Sequence, residues 1–135
     1  MATALQKFDE GHKLIVEAEF RNKDLTYETA QSIMLYLESI SALDVSYNEI
    51  ERFPQLLPRT LTALNLAPNS LSSIQIAPGN LKNLVELNLS YNNLDTATGF
   101  AAVGGRLQYL DLSHNNIANV DGLEPFVELK VLKMS

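Results

Sequence analysis

The chain has 135 residues, 46% of them hydrophobic and 19% charged, a composition that fits one globular domain and excludes a disordered or collagen-like polymer. Acids outnumber bases 16 to 10, for a net charge of −6. That balance argues against direct nucleic-acid binding or an anionic membrane target, since both need a basic field. Cysteine is absent, which removes disulfides, a thiol nucleophile and cysteine-ligated metals.

Taken in chain order, residues 1–10 lack the continuous apolar core of a secretory leader. The longest apolar stretch, around residues 32–37, is far shorter than the roughly 20 residues of a membrane span, so no membrane insertion is expected. These features predict a cytoplasmic protein, with cytoskeletal association or a nuclear site left open. The sequon at Asn88 would matter only in a secreted context.

Residues 15–25 read as a degenerate copy of a pattern that returns four more times in full and once in part, with Ala18 and Phe20 in its apolar slots. Thr26 then predicts the start of a helix reaching about Ser39, with Glu28 near its positive end. Ala30, Ile33, Met34 and Leu37 recur on one face of that helix. Together, residues 1–39 are expected to form the N-terminal cap of the array.

From residue 40 the pattern L-x-x-L-x-L-x-x-N-x-L is complete at residues 40–50, 61–71, 84–94 and 107–117, and a further copy begins at Leu129. Its second leucine falls at Leu43, Leu64, Leu87, Leu110 and Leu132, steps of 21, 23, 23 and 22 residues. Strict alternation within each copy places two side chains on one face of a short strand. No single copy can bury that face, so the copies must stack around a shared core. Asn48, Asn69, Asn92 and Asn115 close each copy where the chain turns, and are expected to form a structural ladder of amides bridging backbone groups. Phe53, Leu56, Leu57, Ile74, Ile76, Leu81, Phe100, Val103, Val120, Leu123 and Phe126 are expected to pack behind the strands. Pro54, Pro58, Pro78 and Gly104-Gly105 interrupt these return segments and predict irregular or 3₁₀ structure there. The sequence breaks off at Ser135 inside a strand pattern, which predicts the N-terminal part of a longer chain.

These four copies in register resemble the leucine-rich repeat. The stretch Ile117, Val120, Gly122, Leu123, Phe126, Leu129 is similar to the short intracellular class typified by the regulatory subunit of type-one protein phosphatase. The expected fold class is therefore an α/β repeat solenoid. It would have a short parallel β-sheet on its concave face, irregular or 3₁₀ convex returns over residues 40–135, and an N-terminal helical cap over residues 1–39.

Positions 3, 5, 7 and 8 of each copy would line the concave face, the usual contact surface of such arrays. Position 3 supplies Glu17, Ala42, Ala63, Glu86, Tyr109 and Val131, and position 5 supplies Glu19, Asp44, Asn65, Asn88, Asp111 and Lys133. Position 7 adds Arg21, Ser46, Ala67, Ser90 and Ser113, and position 8 adds Asn22, Tyr47, Pro68, Tyr91 and His114. Carboxylates outnumber bases on this face. Glu17, Glu19, Asp44, Tyr47, Glu86, Tyr91, Tyr109, Asp111 and His114 are thus the candidate partner-binding residues, since exposed tyrosines anchor many protein interfaces.

Asp111, Ser113 and His114 carry the residue types of a hydrolytic triad, but occupy slots filled by ordinary repeat residues in the sister copies. His12 and His114 show no metal-ligand spacing, and Gly104-Gly105 lacks the residues of a phosphate loop. No enzyme activity, metal or cofactor is expected.

The reading is a protein–protein interaction module for a partner with a basic segment. The resemblance implies an N-terminal domain of a scaffold or adaptor, in a cytoskeletal, centrosomal or ciliary setting. It also leaves open a regulatory subunit of a protein phosphatase, a ribonucleoprotein assembly subunit, and a repeat domain regulating a downstream enzyme. Self-association through downstream regions stays open as well.

Overall fold

Residues at positions 3–5 of each full copy form a three-residue strand, in which position 4 is buried while positions 3 and 5 face the other way. The computed structural model describes residues 3–8, 14–34, 37, 39–76, 81–102, 105–118, 121, 123 and 128–134. In chain order the elements are β1 (Thr3–Phe8), β2 (Leu14–Glu19), α1 (Tyr27–Met34), β3 (Ala42–Asp44), β4 (Ala63–Asn65), β5 (Glu86–Asn88), a 3₁₀ helix (Thr98–Ala102), β6 (Tyr109–Asp111) and β7 (Val131–Lys133). The strands make one sheet in sequence order; β2 to β7 are parallel, and β1 pairs antiparallel to β2.

Register across the sheet follows the repeat. Ala18, Leu43, Leu64, Leu87, Leu110 and Leu132 are successive partners, so a single apolar column crosses it. Past each strand the ladder continues one more rung: Val45 N–H donates to the Asn65 carbonyl, Leu66 to Asn88 and Leu89 to Asp111, at 2.8–3.0 Å. Behind the sheet Leu66, Leu71, Leu84, Leu89, Leu94 and Phe100 are fully buried in one continuous core. Each such side chain contributes about 1.5–3 kcal/mol of burial.

The amide ladder holds the turns. Asn92 donates through Nδ2 to the carbonyls of Leu66, Leu89 and Ser90 at 3.0–3.1 Å, while its Oδ1 accepts the Leu71 N–H at 3.0 Å. Asn115 makes the same set one repeat on, to Leu89, Leu112, Ser113 and Leu94. Asn69 reaches Val45, Leu66 and Ile50, and Asn48 reaches back to Phe20, Lys23 and Leu25 of the degenerate copy. One amide thus ties two adjacent repeats, with donors and acceptors both used.

The convex side departs from the sequence expectation at several points. Helix α1 ends at Met34 and not near Ser39; Ser39 has a φ of 63°, outside the helical region, and residues 35, 36 and 38 lie outside the described set. Its start is fixed by the Thr26 N–H donating to Thr29 Oγ1 at 2.8 Å. The helix is the return between β2 and β3, burying Ala30 and Met34, and the element at the sheet edge is the antiparallel strand β1. Leu56 is 54% exposed, because Leu57 takes the inward position in that return. Phe53, Ile74, Ile76 and Leu81 are buried as expected, and Leu123 is half-buried against the core. Val103, Val120 and Phe126, like Pro78, Gly104 and Gly122, lie outside the described residues. The 3₁₀ turn packs so tightly that a Cβ on Gly99 would stand 1.6 Å from the Ile74 carbonyl oxygen.

Candidate functional site

A groove of about 450 Å³ crosses the concave face of the sheet from β2 to β7. Its floor is the alternation already described: position 4 points into the core, so positions 3 and 5 point into the groove. Glu17, Ala42, Ala63, Glu86, Tyr109 and Val131 form one row, and Glu19, Asp44, Asn65, Asn88, Asp111 and Lys133 the other. Five carboxylates line the groove, and Lys133 is the one base among its lining residues. Alanines at 42 and 63 leave the middle low, while Tyr109, 41% exposed, raises a wall further along.

Position 5 also has a structural duty. Oδ1 of Asp44, Asn65, Asn88 and Asp111 accepts the backbone N–H two residues on, at 2.9–3.0 Å in every case. These Asx turns bend the chain out of the strand. Each aspartate keeps its second oxygen for other contacts.

Position 7 does not face the groove, contrary to the sequence reading. Ser46, Ala67, Ser90 and Ser113 are buried, at 1% exposure for Ser46, because the Asx turn tucks them beneath the next residue. Ser90 Oγ donates to Asn88 Oδ1 at 2.8 Å, whereas Ser46 Oγ has no hydrogen-bond partner among the described residues. Small side chains at this slot were the sequence signal of the tuck. Arg21 of the degenerate copy is the exception and stays exposed.

Tyr47, Tyr91 and His114 stand apart from the groove floor, on the turns that follow β3, β5 and β6. Each has a φ between 52° and 56°, as has Asn22 in the degenerate copy. Proline cannot take that conformation, and Pro68 fills the same slot after a cis Ala67–Pro68 peptide. Tyr47 and Tyr91 are both 57% exposed. Tyr91 stacks on His114 with ring centroids 4.1 Å apart and planes 13° from parallel.

The N-terminal end of the face already holds a cation. Arg21 Nε lies 3.8 Å from Asp44 Oδ2, and its guanidinium carbon is 5.6 Å from the Tyr47 ring centroid. Asp44 and Tyr47 are therefore joined through Arg21. Glu86, Tyr109 and Asp111 lie together on β5 and β6, with Glu86 opposite Tyr109 in register.

The three residue types of a triad do other work. Asp111 Oδ1 accepts the Ser113 backbone N–H, Ser113 is buried, and His114 is stacked on Tyr91. Among the described residues no cluster of three or more His, Asp or Glu could hold a metal ion, and no helix is long and apolar enough to cross a membrane. His12 lies outside the described residues.

Two family models match the chain, both described as leucine rich repeat, over residues 59–117 and 106–132. Podocan-like protein 1 of Mus musculus is 35% identical over 88 residues, which are 62% of this chain and 16% of that protein. A chain in the crystal structure of the Drosophila melanogaster SNF/U2A′ complex superposes with a TM-score of 0.63 at 18% identity, over 98% of this chain and 79% of that one. That likeness concerns the fold. The repeating strands, the amide ladder and both matches make this chain a leucine-rich repeat protein, of a fold that serves as a protein–protein interaction module.

Proposed function

We propose that the concave groove takes a basic segment of a protein partner, within a scaffold or adaptor of which this chain is a recognition module. The observation that carries the reading is the groove itself: five carboxylates around about 450 Å³, with Lys133 the one lining base. A surface of this sign raises the encounter rate of a cationic partner and repels acidic ones. Exposed Tyr47, Tyr91 and Tyr109 add rigid contact area beside the charges. A cytoplasmic setting belongs to the same proposal, supported by an acidic chain without cysteine; recovery of the tagged protein in a secreted fraction would contradict it.

The test is capture of partners by the wild type and by an Asp44→Lys/Asp111→Lys variant verified to be folded. The variant is expected to lose its partner by about tenfold in affinity, chiefly through a slower association rate and a weaker salt dependence. Equal binding by both proteins would move the site to the convex or terminal surfaces.

A second reading, assembly of a ribonucleoprotein through a protein contact, takes support from the fold neighbour solved in the SNF/U2A′ complex. It expects the captured partner to carry RNA. A partner free of RNA would contradict it.

A further inference from the structure

Resting on the groove reading above, we infer that the partner's segment is recognised through arginine, at Glu86, Tyr109 and Asp111, by the same pairing of carboxylate and tyrosine ring that holds Arg21 at the N-terminal rim of the face. The molecule displays the recognition mode itself. Arg21 sits against the Asp44 carboxylate at 3.8 Å while its guanidinium faces the Tyr47 ring at 5.6 Å. A guanidinium suits this pairing because it is planar, always charged, weakly hydrated and able to stack on an aromatic ring while bonding a carboxylate.

Arg21 is available because it fills position 7 of the degenerate copy, where the full copies carry buried Ser46, Ala67, Ser90 and Ser113. No later repeat can supply a cation from that slot. At β5–β6 carboxylates and a tyrosine ring are again brought together, and among the described residues no cation is ion-paired with them. Glu86 is exposed and opposite Tyr109, and Asp111 lies diagonally about 8 Å from Glu86 by strand rise and spacing. Among the described residues neither carboxylate makes an ion pair. Lys133 is the register partner of Asp111 and forms no ion pair with it, and Glu86 and the Tyr109 ring are exposed beside them.

The two ends of the groove therefore differ in state. At the N-terminal end Arg21 already engages Asp44 and Tyr47, beside Glu17 and Glu19, whereas Glu86 and Asp111 are held in no ion pair among the described residues and are complementary to an incoming guanidinium. Arg21 acts as an internal ligand of Asp44 and Tyr47, which directs the partner's arginine toward Glu86, Tyr109 and Asp111.

The experiment measures binding of fluorescent hexa-arginine and hexalysine peptides to the full chain by anisotropy at low ionic strength. Asp111→Asn is a clean variant, since Asn65 and Asn88 already accept the same turn hydrogen bond. Hexa-arginine is expected to bind more tightly than hexalysine. Glu86→Gln and Asp111→Asn should each weaken it about fivefold, Asp44→Asn by less than about twofold, and Arg21→Ala should tighten it about twofold. Equal affinity for the two peptides, binding of hexalysine without hexa-arginine, or an Asp44→Asn loss as large as that of Asp111→Asn would overturn the inference while leaving the groove reading standing, and binding of neither peptide would overturn both. Binding of both peptides that no groove variant changes would overturn the groove reading as well.

Discussion

The concave and convex sides of this array are built from the same repeats, yet only one of them is regular. On the concave side every strand residue has a register partner in the next copy, so Ala42, Ala63 and Glu86 fall in one row without exception. On the convex side the returns are a helix at residues 27–34, a 3₁₀ turn at residues 98–102 and irregular segments between. Hydrogen bonding between neighbours forces the first side to repeat. The second has only to cover the core, and different side chains do that equally well. The surface that can carry a spatially ordered set of charges is thus the one fixed by backbone pairing.

Substitutions separate the two sides by size of effect. Leu89→Ala removes a fully buried side chain shared by adjacent repeats, and should cost about 3–4 kcal/mol in denaturant unfolding. An effect under about 1 kcal/mol would mean that the stacked core is loosely packed. Gly99→Ala probes the convex return, where the new Cβ meets the Ile74 carbonyl, and should cost about 2–3 kcal/mol by the same assay. Were it tolerated without loss, the 3₁₀ turn would not be packed against that carbonyl.

Asn92→Ala leaves the Leu71 N–H without its acceptor and should cost about 1–3 kcal/mol, with the array still folded by circular dichroism. A loss below about 0.3 kcal/mol would remove the amide ladder from the account of the turns. Ser46→Ala is the smallest change. It deletes a buried hydroxyl that has no partner among the described residues, at a slot where Ala67 already stands. Its expected result is a gain of up to about 1 kcal/mol. Destabilisation would show that Ser46 Oγ is bonded in solution.

How much of this was legible in the sequence follows the same division. The column of Ala18, Leu43, Leu64, Leu87, Leu110 and Leu132 and the amide ladder at Asn48, Asn69, Asn92 and Asn115 could be read directly, because a period of 21–25 residues repeats their environment. Strand β1 could not, since residues 3–8 stand outside the period and gain a partner only from the edge of β2. Leu56 and Leu57 are equivalent by composition; only the course of the return decides that Leu57 is inside.

The candidate site was legible in rows but not in depth. Placing positions 3 and 5 on the groove follows from strand alternation. The burial of position 7 depends on the turn that Asp44, Asn65, Asn88 and Asp111 accept, a local bond that periodicity does not reveal. Arg21 is a further case. Its charge is evident from the sequence, but its seat between Asp44 and Tyr47 needs β2 and β3 brought into register.

The central claim is that a cationic segment binds the concave face, and chemical-shift mapping of the isotope-labelled chain titrated with hexa-arginine peptide tests it most directly. The account predicts shifts confined to the strand rows and rim, largest at Glu86, Tyr109 and Asp111. Shifts centred instead on the convex returns around Phe53, Leu56 and Gln75 would contradict it.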